Sequence, residues 1–92
     1  MNIKLNDNHF LGIEPYKTKA ILVAWNNGTQ LACRIETIKN LSKFIDEQEA
    51  NIFKGRLKLY KHQDSIAVQV KENTIGVLTA SQFEGLLKSI KR

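Results

Sequence analysis

The first clear pattern along the chain is an apolar run at residues 20–25, followed by Asn26-Asn27-Gly28 and an alternating segment at residues 29–35. Asparagine and glycine between two such runs signal a β-hairpin, because both tolerate the left-handed backbone that a tight turn needs. A two- or four-residue loop would set Trp25 opposite Gln30, whereas a three-residue loop with a bulged Gly28 would set Trp25 opposite Thr29. The second register gathers Ile21, Val23, Trp25, Leu31, Cys33 and Ile35 on one face, and Ala20, Leu22, Ala24, Gln30, Ala32 and Arg34 on the other. Burial of bulk favours that register, with the first set against the core and the second toward solvent.

Beyond the hairpin the period lengthens. Thr37 is placed to cap a helix whose stripe is Ile38, Leu41, Phe44 and Ile45, and the acidic Asp46, Glu47 and Glu49 at its C-terminal end predict fraying near Glu49, where the helix dipole disfavours negative charge. Alternation returns at residue 54, with Lys54, Arg56, Lys58 and Tyr60 on one strand face and Leu57 and Leu59 on the other. Residues 62–65 read as a turn, and Ile66, Val68 and Val70 as the buried face of the next strand. A further strand at residues 75–79 follows, in which Gly76 marks a bulge or a close packing contact. Phe83, Leu86, Leu87 and Ile90 recur at helical spacing, and both Thr79/Gln82 and Ser81/Glu84 have the spacing of a capping box before them.

Each element has one apolar face, which predicts a single α+β domain over residues 1–92. Its architecture is an antiparallel sheet in β-β-α-β-β-β-α order, with two helices packed on one face. Residues 1–5 add a short edge strand, and residues 6–17 form an ordered loop anchored by Phe10, Ile13 and Tyr16. No repeat period is visible.

Composition narrows the function. The one cysteine, Cys33, is expected to be buried, and alone it excludes an intramolecular disulfide or a cysteine-rich zinc module. The longest apolar run is six residues, against about 20 for a membrane span, and the N-terminus lacks a secretory pattern, so a soluble, cytoplasmic protein without membrane contact is expected. The net charge of +5 favours a polyanionic partner, but eleven of the fourteen cations are lysine, which limits bidentate recognition.

His62, Asp64 and Ser65 are triad residue types confined to one turn, too close in sequence to converge from separate elements. His9, His62 and Cys33 are too dispersed to suggest a metal site, and no glycine-rich loop precedes a helix. The expectation is a non-enzyme without cofactor or metal.

Two binding readings remain. In the first, the protein is a small non-catalytic binding protein, an inhibitor, adaptor or accessory factor, that meets another protein or a second copy of itself through Leu22 and Arg34 on the flat outer hairpin face, with Trp25 protruding at the strand end as an anchor, or through an exposed sheet edge. In the second, it binds nucleic acid, with Lys54, Arg56, Lys58 and Lys61 gripping phosphates and Tyr60 stacking on a base. From Ile38 onward the α-β-β-β-α order resembles the double-stranded RNA-binding domain over about 55 residues. The family's lysine cluster at the start of its last helix is replaced here by Ser81, Gln82 and Glu84.

Overall fold

In the computed structural model, which describes residues 2–53 and 55–90, the chain runs through four strands and a helix, twice. The strands β1 (Asn2–Lys4), β2 (His9–Tyr16), β3 (Lys19–Asn26) and β4 (Thr29–Thr37) form one antiparallel sheet in sequential order and lead into α1 (Ile38–Asp46). A second sheet of β5 (Glu49–Ile52), β6 (Leu57–His62), β7 (Ser65–Val70) and β8 (Asn73–Thr79) leads into α2 (Ala80–Ile90). The α+β class, the antiparallel pairing and the order of the expected strands and helices hold.

Two strands are additions. β2 occupies most of the segment expected to be a loop, and β5 begins where α1 was expected to fray. With β5 present, four strands separate the helices, which departs from the order of the double-stranded RNA-binding domain. Pro15 and Gly12 hide β2 from a pattern reading, since both are poor strand formers. Pro15 is tolerated because β1 pairs only with Phe10, Leu11 and Gly12, which leaves β2 an edge where the proline sits.

The two halves are an internal structural repeat. Strands β2, β3 and β4 have 8, 8 and 9 residues, and β6, β7 and β8 have 6, 6 and 7. A strand shortened by two residues keeps every side chain on its original face, so the pattern survives while the spacing drifts. Both halves carry a bulged residue at the third position of their last strand, Leu31 in β4 and Ile75 in β8. Each then caps its helix with threonine. Thr37 Oγ1 accepts from the Asn40 amide at 3.1 Å, and Thr79 Oγ1 from the Gln82 amide at 3.0 Å, with Gln82 Oε1 accepting in return from the Thr79 amide at 2.8 Å.

The first sheet is turned the other way from the sequence expectation. Leu22 is 0% exposed, and Ala20, Ala24 and Ala32 are buried with it, whereas Ile35 is 49% exposed and Cys33 lies in the open. The hairpin closes with the two-residue loop Asn27-Gly28 and Trp25 opposite Gln30; the bulge then restores the odd-with-odd pairing from Val23↔Cys33 onward. The expected register is overturned, and two residues change sides with it: Gln30 joins Trp25, and Leu31 is the bulged residue, packed against the core; the other residues keep the expected sets with their orientation reversed. β2 supplies the reason. It places Leu11 and Ile13 on the buried face, paired with Ala24 and Leu22, while Glu14 stands beside Ile21 on the other. Turning that face into the core would bury the Glu14 carboxylate, which has no ion-pair partner among the described residues, and small alanines leave room for Leu11 and Ile13.

One core unites the halves, with Leu11, Ile13 and Leu22 of the first sheet joined to Leu59, Ile66 and Val68 of the second and to Leu41, Phe44, Phe83 and Leu86 of the helices. Between β1 and β8 the sheets are closed by the segment after β1. Asn6 Nδ2 donates to the Ile75 carbonyl at 2.6 Å, and Leu5 lies on Gly76 so closely that a Cβ there would sit 2.5 Å from Leu5 Cβ. Gly76→Ala is therefore expected to cost about 1–3 kcal/mol. In the Leu5→Ala background, where Cβ remains but the branch that resists displacement is gone, part of that cost should disappear. Urea titration of the four chains checks this; strictly additive losses would mean that the two residues do not meet.

Candidate functional site

The outer face of the first sheet presents a grid fixed by strand register. Its first row runs Lys4, Phe10, Trp25, Gln30 and its second Asn2, Gly12, Val23, Cys33. The third runs Glu14, Ile21, Ile35 and the last Tyr16, Lys19, Thr37. Alternation along each strand puts these side chains on one side. Phe10, Ile21, Val23 and Trp25 are half-buried, and Ile35 is exposed. Gly12 makes the centre of the grid low: a Cβ there would lie 2.3 Å from Asn2 Oδ1 and 3.4 Å from Trp25 Nε1. The result is a shallow trough of about 470 Å³ floored by Gly12 and walled by Val23, Trp25 and Cys33. The charged residues of the grid are Lys4, Glu14 and Lys19, and Glu14 lines the trough.

Of the three residues expected to bind a partner, Leu22 and Arg34 share a side of the sheet, but it is the inner one. Leu22 is in the core, because Ile13 and Arg34 flank it on the inner side of the sheet. Trp25 stands on the opposite, outer face. Arg34 shares Leu22's side of the sheet, yet β4 is an edge strand, so its guanidinium reaches outward over the Phe53 ring at 5.8 Å. The residues that sequence reading missed are Phe10, Ile21, Val23 and Ile35. Glu14 was the available signal, once residues 9–16 are seen as a strand.

The basic segment is also divided. Lys54 lies outside the described residues. Arg56 is exposed in the bend before β6, and Lys58 and Tyr60 point to the outer face of the second sheet, where Lys58 Nζ is 4.0 Å from Glu72. Lys61 is on the other face, 8% exposed, and its ammonium donates to the carbonyl of Glu47, the C-cap residue of α1. The side chain serves as a helix C-cap, its stem in the core and its charge at the negative end of the helix dipole. Lys61→Met keeps the packing and removes the donor, so a loss of about 1–2 kcal/mol is expected, read from the urea midpoint. Unchanged stability together with weakened polyanion binding would return Lys61 to a binding role.

His62 and Ser65 close the β6–β7 hairpin, and His62 Nδ1 lies 2.7 Å from Glu49 Oε1, on the strand next to it. His9 Nδ1 is 3.0 Å from Asn6 Oδ1, which also accepts from the Asn8 and His9 amides. Among the described residues, no three His, Cys, Asp or Glu side chains gather as metal ligands, and no helix is long and apolar enough to cross a membrane. Comparison with protein-family models, with curated proteins and with solved structures found no match for this chain.

Proposed function

We propose that the protein is a small non-catalytic binding protein, an inhibitor, adaptor or accessory factor, that docks another protein on the outer face of its first sheet. The observation that carries this reading is the apolar grid itself, in which Phe10, Trp25, Val23, Ile21 and Ile35 are contiguous and the charged residues are Lys4, Glu14 and Lys19. Interface centres are enriched in aromatic side chains and depleted of charge, and tryptophan is a frequent anchor. A chain in which alanines were buried and larger aliphatic side chains left outside gives up hydrophobic stabilisation that a bound partner would return.

The test compares Val23→Lys and Ile35→Lys with Val77→Lys, a control on the outer face of the second sheet, where Val77 is 55% exposed. All three are expected to fold. The unmodified chain and the Val77 variant should retain the same protein from lysate in stoichiometric amount, and the two first-sheet variants should lose it. Light scattering on the same four chains reports whether the retained protein is a second copy. Identical capture by all four would end the proposal.

The competing nucleic-acid reading rests on Lys54, Arg56, Lys58, Tyr60 and Lys61. It draws less support from the geometry, because the cap made by Lys61 points away from Lys58 and Tyr60. A low-salt gel shift with duplex and single-stranded probes separates the readings, since phosphate contacts give affinity that falls steeply with salt.

A further inference from the structure

The internal repeat creates two seams between the sheets, and only one is closed. At the first, β8 meets the segment after β1 through Leu5 on Gly76 and Asn6 on the Ile75 carbonyl. At the second, Glu36 of β4 shares a hollow with Ala50, Asn51 and Ile52 of β5, and among the described residues each of these strands pairs on one side only. Gly76 stands three residues before its helix cap Thr79, and Arg34 stands three residues before its cap Thr37. A glycine stands at the first seam and an arginine at the corresponding distance from the cap at the second.

The open seam is a groove along β4. One hollow of about 410 Å³ is lined by Gln30, Leu31, Ala32, Cys33, Arg34 and Arg56. Another of about 210 Å³ lies further along, between Glu36, α1 and Ala50, Asn51 and Ile52 of β5. At their junction Arg34 stacks on Phe53, whose φ of +74° is an outlier for a bulky side chain. Neither Arg34 nor Arg56 pairs with a carboxylate among the described residues.

We propose that this seam binds an extended acidic segment of a partner protein, which adds as a strand to the free edge of β4 and sets a carboxylate against Arg34 and Arg56. Strand addition takes its affinity from main-chain hydrogen bonds and its selectivity from alternate side chains. An arginine pair at the strand edge selects carboxylates through charge-assisted, bidentate bonds. The closed seam shows the form of such an occupant, in which one apolar side chain is laid on the strand and a polar one bonds its carbonyl. This site adjoins the outer sheet face, sharing Gln30 and Cys33 with it, and does not rest on the docking reading proposed there.

The probes are a dye-labelled peptide of about ten residues alternating glutamate with valine and threonine, its lysine-for-glutamate counterpart, and an oligo-dT strand of similar charge. Anisotropy on the full chain is expected to show the acidic peptide binding at least about tenfold more tightly than the basic one. Arg34→Ser and Arg56→Ser should each weaken it by about threefold or more, whereas Val77→Lys, on the outer face of the second sheet, should leave it unchanged. Arg56 is in an exposed bend, so that variant reports on binding without touching the Phe53 stack. Amide NMR shifts should concentrate at residues 32–35 and 50–52. Absence of binding, equal affinity for the two peptides, or shifts centred on Val23 would overturn the proposal. So would oligo-dT binding that needs the same two arginines and displaces the peptide, because the seam would then be a phosphate site.

Discussion

Leu22→Ala is expected to lower the unfolding free energy by about 2–5 kcal/mol, whereas Val23→Thr, one position along the same strand, changes it by about 1 kcal/mol or less. Leu22 is 0% exposed and pairs with Ile13 on β2 and with Arg34 on β4. Its neighbours along the inner face of β3 are Ala20 and Ala24, both 0% exposed, whose short side chains cannot swing into the space a lost isobutyl group leaves. A cavity that cannot collapse puts the loss toward the upper end of the range. For a small domain with about 5–15 kcal/mol in total, that is a large fraction. Leu22→Asp adds an unpaired buried charge and should leave the chain unfolded. Val23 sits half-buried over Gly12 on the other face and meets solvent already. Urea titrations of the single variants decide the matter, and a larger loss at Val23 than at Leu22 would mean that the bulky set faces the core after all.

Most of the sorting of side chains in residues 20–35 was legible in the sequence, because a period of two fixes which residues travel together; the bulge at Leu31 moves Gln30 to Trp25's side, against the expected register. Which set goes inward was not legible from the hairpin. That choice is made by β2, through Glu14 beside Ile21 and Leu11 beside Ala24, and β2 is concealed by Gly12 and Pro15. Both threonine caps, the α2 stripe and the buried faces of β6 and β7 were readable from local spacing. The repeat was not, since two residues are missing from each of three strands and matching positions have no constant separation. The seam is legible only in three dimensions: nothing near Arg34 in the sequence announces that Phe53 and Arg56 lie beside it. Lys61 misled for a related reason. A lysine in a basic, alternating strand resembles a solvated charge until the carbonyl of Glu47, fourteen positions away, is found at its ammonium.

Phe83→Ala is expected to cost about 3–5 kcal/mol and to do so equally in both halves of the molecule. The ring is 0% exposed and meets Phe44 edge-on, with centroids 5.8 Å apart and planes at 66°. Such aromatic pairs contribute about 0.5–1.5 kcal/mol beyond burial, so a double-mutant cycle with Phe44→Leu should return a coupling energy in that range. The location matters more than the pair. α2 belongs to the second repeat, yet it packs on β1 and β2 of the first as well as on β8, and α1 likewise touches both β4 and β5. Phe44 and Phe83 join two helices that each bridge the sheets, so neither sheet keeps its inner cover when this junction loosens. The single tryptophan, Trp25, is on the outer face of the first sheet and reports that half alone. In Phe83→Ala its fluorescence transition should move to lower urea together with the far-ultraviolet ellipticity, as one cooperative unit requires. If the Trp25 transition stayed in place while ellipticity was lost earlier, the repeats would be unfolding independently, and the shared helical junction would not be what binds them into one structure.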